Sequence, residues 1–432
     1  MAPQFQLFYN PMLEVLLKQE SITTKREFDV SLEALRGLAA LLVVIGHAVK
    51  VDSHLDPTYH IAGPWQYGAP AHLSVIVFFM LSGYVIGLSN PKPIHTRSER
   101  WLYVKKRLVR LYPLYLISLL ATIGVAALQQ QYFSLTTIGG WLLFLQGLAV
   151  DVPDFNQPIW SLGYEIFYYA AFILVSARQW RAEYLAVLFL IIGLFISKLH
   201  IGPVVLASYA YGAVFWFLGL FLNRFRKSSK PLRFGKMLAF LLLLLCFERM
   251  NLGFSILYAL NLDIKEIDTP SFYDRAIVFS DMSYLVFCLP LLLCFTRRSI
   301  WRKQWIELVA FGIPALYMVA YIASGKVHQV ELMNTIYIPV ACYISSLIVY
   351  ARNKQFNDLG ERIIEKMKPL GLISYGIYII HFPLLFLFQQ VTAFSGSREA
   401  FAVRLLLYLA VVIGVGYVLE MKVQPWFKKR LM

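Results

Sequence analysis

The chain has 432 residues, 59% of them hydrophobic and only 15% charged. Soluble domains are usually about 45–50% apolar and about 25% charged, so an ordinary soluble enzyme is excluded. The formal net charge of +15 does not indicate nucleic-acid binding, because the basic residues cluster beside apolar stretches as in polytopic membrane proteins.

In chain order, residues 1–33 read as a cytoplasmic tail. No secretory signal is expected, because the start lacks a basic segment and Glu14 and Lys18 interrupt its apolar part. A short interfacial helix is expected near 10–18. Spans follow near 34–51, 72–90, 111–128, 160–177, 183–198, 204–222, 237–258, 280–296, 306–323, 333–351, 371–392 and 402–421. The stretch 138–150 is too short to cross about 30 Å of hydrocarbon and reads as re-entrant or interfacial. The fold class is therefore all-α, a polytopic integral membrane helical bundle. Residues 34–421 form one membrane domain, and 422–432 a short basic cytoplasmic tail. No intervening loop is long enough to bury a core of its own, and no internal repeat relates the two halves.

Charge sets the expected orientation. With both termini in the cytoplasm, the outer loops hold only Lys50, Lys198, Arg249, Lys265, Arg275, Lys326 and Arg398 of the 40 basic residues. The four cysteines lie in apolar segments and read as core hydrophobes. No metal-binding or Walker-type motif occurs, so no metal is expected.

Several polar groups fall inside apolar spans. Arg36 and His47 are eleven positions apart, three helical turns plus roughly 20°, so they share a face, and Glu33 joins them. Arg36 is expected near the cytoplasmic surface and His47 roughly 16 Å deeper. Ionisable groups are costly in a bilayer, so a functional site is the default reading. A neutral imidazole is the commonest general base. Arg107 and Arg110, three apart before Tyr112-Pro113, face one way and suit forked bonds to phosphate. In Trp160-Ser161-Leu-Gly-Tyr164-Glu165, Ser161 and Glu165 share a face. Glu165 is expected to pair with an arginine, orient His47 or hold an acceptor hydroxyl. Phe78 to Tyr84 reads as a small-residue helix contact. Ser374, Tyr378 and His381 form a stripe whose structural reading comes first.

Taken together these segments resemble the membrane acyltransferase-3 family. The chain supplies the family's hallmarks in order: Glu33/Arg36/Gly37, Arg36/His47, Phe78 to Tyr84, Arg107/Arg110/Pro113, Trp160/Ser161/Glu165 and Ser374/Tyr375/Tyr378/His381. Glu33 stands where many relatives carry Asp. Relatives are usually drawn with about ten spans, so about 10–12 transmembrane helices are expected.

The resemblance implies transfer of an acyl group, usually acetyl, from an acyl-CoA such as acetyl-CoA to a hydroxyl of a cell-surface carbohydrate or glycolipid. The setting would be the plasma (bacterial inner) membrane and its lipid, with no nucleic-acid partner. On that reading His47, Arg36, Glu33 and Glu165 serve catalysis. Arg107, Arg110 and Arg36 hold the cofactor, while Trp160, Ser161 and Tyr164 contact the acceptor. Outer-loop Trp65, Tyr67, Phe272 and Tyr273 are further candidates for stacking on sugar rings. Two alternatives stay open. One is a multi-span transporter of a glycan or small metabolite. The other is a different membrane acyltransferase type whose key histidine lies late in the chain, at His381.

Overall fold

The computed structural model describes residues 11–199, 201, 203–250, 253, 276–300, 303–325 and 330–432. Among these residues the regular structure is helical, and two isolated bridges are the only β pairing. The α-helices of eight or more residues are α1 (Pro11–Lys50), α2 (Ala71–Ser89), α3 (Arg97–Leu128), α4 (Leu135–Leu142), α5 (Trp160–Arg178), α6 (Ala182–Leu199), α7 (Val204–Phe221), α8 (Phe234–Phe247), α9 (Leu285–Phe295), α10 (Lys303–Ala323), α11 (Val330–Ala351), α12 (Asn357–Leu372), α13 (Ser374–Gln389), α14 (Arg398–Val418) and α15 (Gln424–Leu431).

Eight helical stretches among the described residues are long and apolar enough to cross a membrane, or nine if α12 and α13, bent by 69°, form one broken span. The chain is an all-helical integral membrane protein. One expected span is shorter here: the apolar helix Phe279–Phe295, at the place of 280–296, falls below spanning length, whereas α11 has 22 residues and the expected span 237–258 begins with α8 and runs on outside the described residues. The helix expected near 10–18 is the beginning of α1, which runs unbroken for 40 residues. The stretch 138–150 contributes α4 and a turn in which Gln146 bridges Val150. Its eight helical residues reach about 12 Å, too little to cross.

Local chemistry sets several helix starts. Thr96 accepts from Glu99 N–H while the Glu99 carboxylate takes the Thr96 N–H, a capping box that begins α3. Ser134 and Ser397 cap α4 and α14 in the same sense.

Glycines let the central helices touch. A Cβ on Gly371 would lie 1.9 Å from the Glu33 carbonyl, and one on Gly37 2.6 Å from Gly371 N. Here α1 meets the α12–α13 bend with no room for a side chain. Gly83 and Gly219 do the same between α2 and α7, where added Cβ atoms would lie 2.0 Å from the Trp216 and Met80 carbonyls. The Phe78–Tyr84 motif is thus a close helix contact, as expected.

Arg404 is buried in α14. It donates to the carbonyls of Leu55, Phe388 and Ala393, so this intramembrane cation clamps three loop ends. Cys246, Cys288 and Cys294 are free thiols in the core, and Cys342 is half-buried.

Candidate active site

Two cavities lie back to back. The smaller, about 260 Å³, is lined by Arg36, Ser82, Arg107, Arg110, Ser161, Glu165, Tyr169 and Tyr375. The larger, about 740 Å³, is lined by His47, Lys50, His54, Gln66, His72, Gln157, Trp160, Glu248, Asp281 and Phe382. Val75 and Tyr378 line both and therefore stand between them. The Tyr378 hydroxyl donates to the Pro158 carbonyl at 2.7 Å and lies 2.7 Å from Ser161 Oγ. This ties α13 to the start of α5.

His47 and His381 meet across the bundle. His47 Nδ1 lies 3.0 Å from His381 Nε2, and the rings stack with centroids 5.2 Å apart. His381 Nδ1 lies 2.7 Å from the Tyr378 carbonyl. A carbonyl only accepts, so Nδ1 of His381 carries the hydrogen and Nε2 of the neutral ring is bare. That bare nitrogen accepts from Nδ1–H of His47. Nε2 of His47 is left with its lone pair, and this residue lines the large cavity. Phe382 meets the His47 ring edge-on and His381 is fully buried, so the pair is held rigidly.

The smaller cavity gathers the cations. Arg36 pairs with Glu33 at 3.1 Å. Arg110 makes a two-toothed pair with the buried Glu420 carboxylate, one bond being 2.9 Å, and Glu420 also takes the Gly376 N–H. Arg107 lies over the rings of Tyr103 and Tyr169. Glu165 accepts from the Ser82 hydroxyl at 3.1 Å and from the Tyr169 hydroxyl.

The structure thus brings Arg36, Arg107, Arg110, Ser161 and Glu165 to one cavity, and His47 and Trp160 to the other. Glu165 is held by hydroxyls, and the group that orients His47 is His381. Tyr164 lines neither cavity. It is buried, stacked on Tyr209, with its hydroxyl on Ser208. Trp65 is exposed beneath Arg398, and Tyr67 donates to the Leu245 carbonyl. Phe272 and Tyr273 lie outside the described residues.

The sequence reading missed the role of His381 and the polar lining of the large cavity. There His72 Nε2 lies 3.0 Å from Asp281, and Glu248 takes the Leu73 N–H at 2.7 Å. A second histidine within an apolar span was the available signal. At the cavity rim, burial holds the His54 imidazole below its ordinary pKa, with Asp52 pulling the other way. No group of three or more potential metal ligands occurs among the described residues.

These features define an integral membrane protein with an oriented imidazole in one internal cavity and a cluster of arginines in another. The chain belongs to the acyltransferase-3 family: the family model described as an acyltransferase domain matches residues 29–306 and 250–421. It is also similar to "Protein 2 in picA locus" of Rhizobium radiobacter, 30% identical over 131 residues. That match covers 30% of this chain and 55% of the relative. No solved structure matches the chain.

Proposed function

We propose that the protein is an O-acyltransferase that moves an acyl group, most simply acetyl, from acyl-CoA to a hydroxyl of a cell-surface or lipid-linked carbohydrate. The membrane would be the plasma (bacterial inner) membrane, with the Lys/Arg-rich loops and both termini in the cytoplasm, where acyl-CoA is available. One observation carries the reading: His47 has its Nδ1–H engaged and its Nε2 bare, in a cavity with room for a sugar.

In this reading the donor enters the smaller cavity, where Arg36 and Arg107 attract its phosphates. Its acyl end passes the wall formed by Tyr378 and Val75 when those side chains move aside for the bound donor, so that the thioester carbonyl meets the larger cavity. The acceptor occupies the larger cavity, where Asp281, Glu248 and Gln157 offer partners for hydroxyls. His47 Nε2 takes the acceptor hydroxyl's proton as the oxygen attacks the thioester carbonyl. The carbon–sulfur bond breaks, and the departing thiolate takes the proton back from His47. The products are an ester and free CoA. His381 shares the charge of the transient imidazolium, as an orienting partner does in catalytic triads.

The test is a donor titration. Purified protein with acetyl-CoA and a glycan fraction should release CoA thiol, and Arg107→Ala should raise the donor KM with a smaller change in kcat. Thiol release indifferent to added acceptor, or a donor KM unmoved in Arg107→Ala, would overturn it.

A further inference from the structure

A third cavity, about 550 Å³, lies apart from the two already described. It is built by residues 228–236, residues 294–300 and the start of α10. The first two stretches are stitched together by a bridge between Lys227 and Arg298 and by hydrogen bonds from Ser228 N to Arg297 O and from Ser299 N to Arg226 O.

Its lining includes six cations, Lys230, Arg233, Lys236, Arg297, Arg298 and Lys303, against one carboxylate, Glu307. Glu307 is already engaged: it pairs with Lys236 and accepts from the Tyr350 hydroxyl. Lys230 and Arg233 stand exposed and have no carboxylate partner among the described residues.

Loop charges that serve only to orient a membrane protein need no pocket and no fixed geometry. These have both. Arg297 sits at φ 57°, the left-handed backbone region that non-glycine residues rarely adopt. Its guanidinium donates to the carbonyls of Ser228 and Lys230, which holds the loop open. Arg298 is pinned by the Tyr84 hydroxyl at 3.1 Å and the Phe225 carbonyl at 2.6 Å. The cavity is therefore formed in advance, and a multiply charged anion is the partner that its charge calls for.

We propose that this cavity binds a phosphate-bearing ligand, with Lys230 and Arg233 at its mouth making the charge-assisted contacts. Two sources carry that chemistry: the headgroup of an anionic phospholipid and a free phosphorylated nucleotide, bound apart from the donor phosphates assigned to Arg36 and Arg107. Neither requires the catalytic reading of His47.

The experiment compares wild type with Lys230→Glu/Arg233→Glu. The control is Arg362→Glu/Lys366→Glu, which reverses two exposed charges on α12. All three are titrated in detergent with short-chain phosphatidylglycerol, with phosphatidylcholine and with adenosine 3′,5′-bisphosphate. The proposal expects saturable binding of at least one anionic probe, weakened about tenfold or more in the cavity variant and less than about twofold in the control. Phosphatidylglycerol selected over phosphatidylcholine identifies a lipid site, and the bisphosphate identifies a nucleotide site. Because both substituted residues are exposed, folding should survive, and a melting curve verifies it. Binding by neither anion, or equal loss in cavity and control variants, would overturn the proposal.

Discussion

His47 Nδ1 lies 3.0 Å from His381 Nε2, and the Tyr378 carbonyl on the far side of His381 dictates which imidazole donates. The chain carbonyl, imidazole, imidazole ends on Nε2 of His47, a residue that lines the large cavity. A pair arranged in this order orients a base rather than competing for a proton.

The order predicts graded effects at position 381. His381→Ala removes the acceptor for His47 Nδ1–H and lets the wrong tautomer form. Turnover should fall roughly 10²–10⁴-fold while the donor KM stays near its wild-type value. In His381→Gln the side-chain amide oxygen stands near the position of Nε2 and can still accept, so a substantial part of the activity should return. Equal loss in both variants, measured by steady-state kinetics, would reduce His381 to a packing residue.

Much of this site was legible in the sequence, for a reason that also marks the limit. Arg36 and His47 lie on one helix, so 3.6-residue geometry alone relates them. The small residues within Phe78–Tyr84 marked that stretch as a helix contact, although its partner around Trp216 on α7 was not legible. The pairing of His47 with His381 joins residues 334 positions apart, and that of Arg110 with Glu420 joins residues 310 apart. Neither follows from periodicity, because both depend on how α13 and α14 return to the centre. The division into two cavities was not legible either. Ser161 and Trp160 are neighbours in sequence yet line different cavities.

Arg110 offers a warning for mutagenesis of the paired arginines. Its carboxylate partner Glu420 is only 3% exposed. Arg110→Ala would strand a buried charge at a cost of roughly 3 kcal/mol, discounted because a third of the arginine side chain still meets solvent. A melting experiment should show Arg110→Ala well below wild type and Arg107→Ala close to it. The double variant Arg110→Ala/Glu420→Ala should recover part of the loss. Failure to recover would mean that the stabilising contact is not this pair.

Tyr378 should control the barrier between the cavities. Tyr378→Phe removes one donor from the Pro158 carbonyl, which keeps the Ser161 hydroxyl at 3.3 Å, a loss of about 0.5–1.5 kcal/mol. Tyr378→Ala removes the ring and joins the two cavities. Acyl-CoA hydrolysis in the absence of acceptor should then rise several-fold relative to transfer, because water gains a path to the thioester. An unchanged hydrolysis-to-transfer ratio would show that Tyr378 is not the wall.

The α1 crossing predicts a distant effect. Gly371→Ala would place a methyl group 1.9 Å from the Glu33 carbonyl, so α1 must shift, carrying Arg36 and His47 with it. A displacement near 1 Å at a reacting group costs about 10²-fold in rate. Activity should therefore fall by about that factor, and the melting temperature should drop as well. Wild-type kinetics in a stable Gly371→Ala protein would mean that the crossing tolerates more than its geometry allows.

The central claim is that His47 is the base in acyl transfer. The most direct measurement is incorporation of label from acetyl-labelled acetyl-CoA into the glycan and lipid fractions of membranes containing wild-type or His47→Ala protein at equal, folded abundance. The account predicts label in the wild-type fractions and at least a hundredfold less with His47→Ala. Equal incorporation by the two proteins would contradict it.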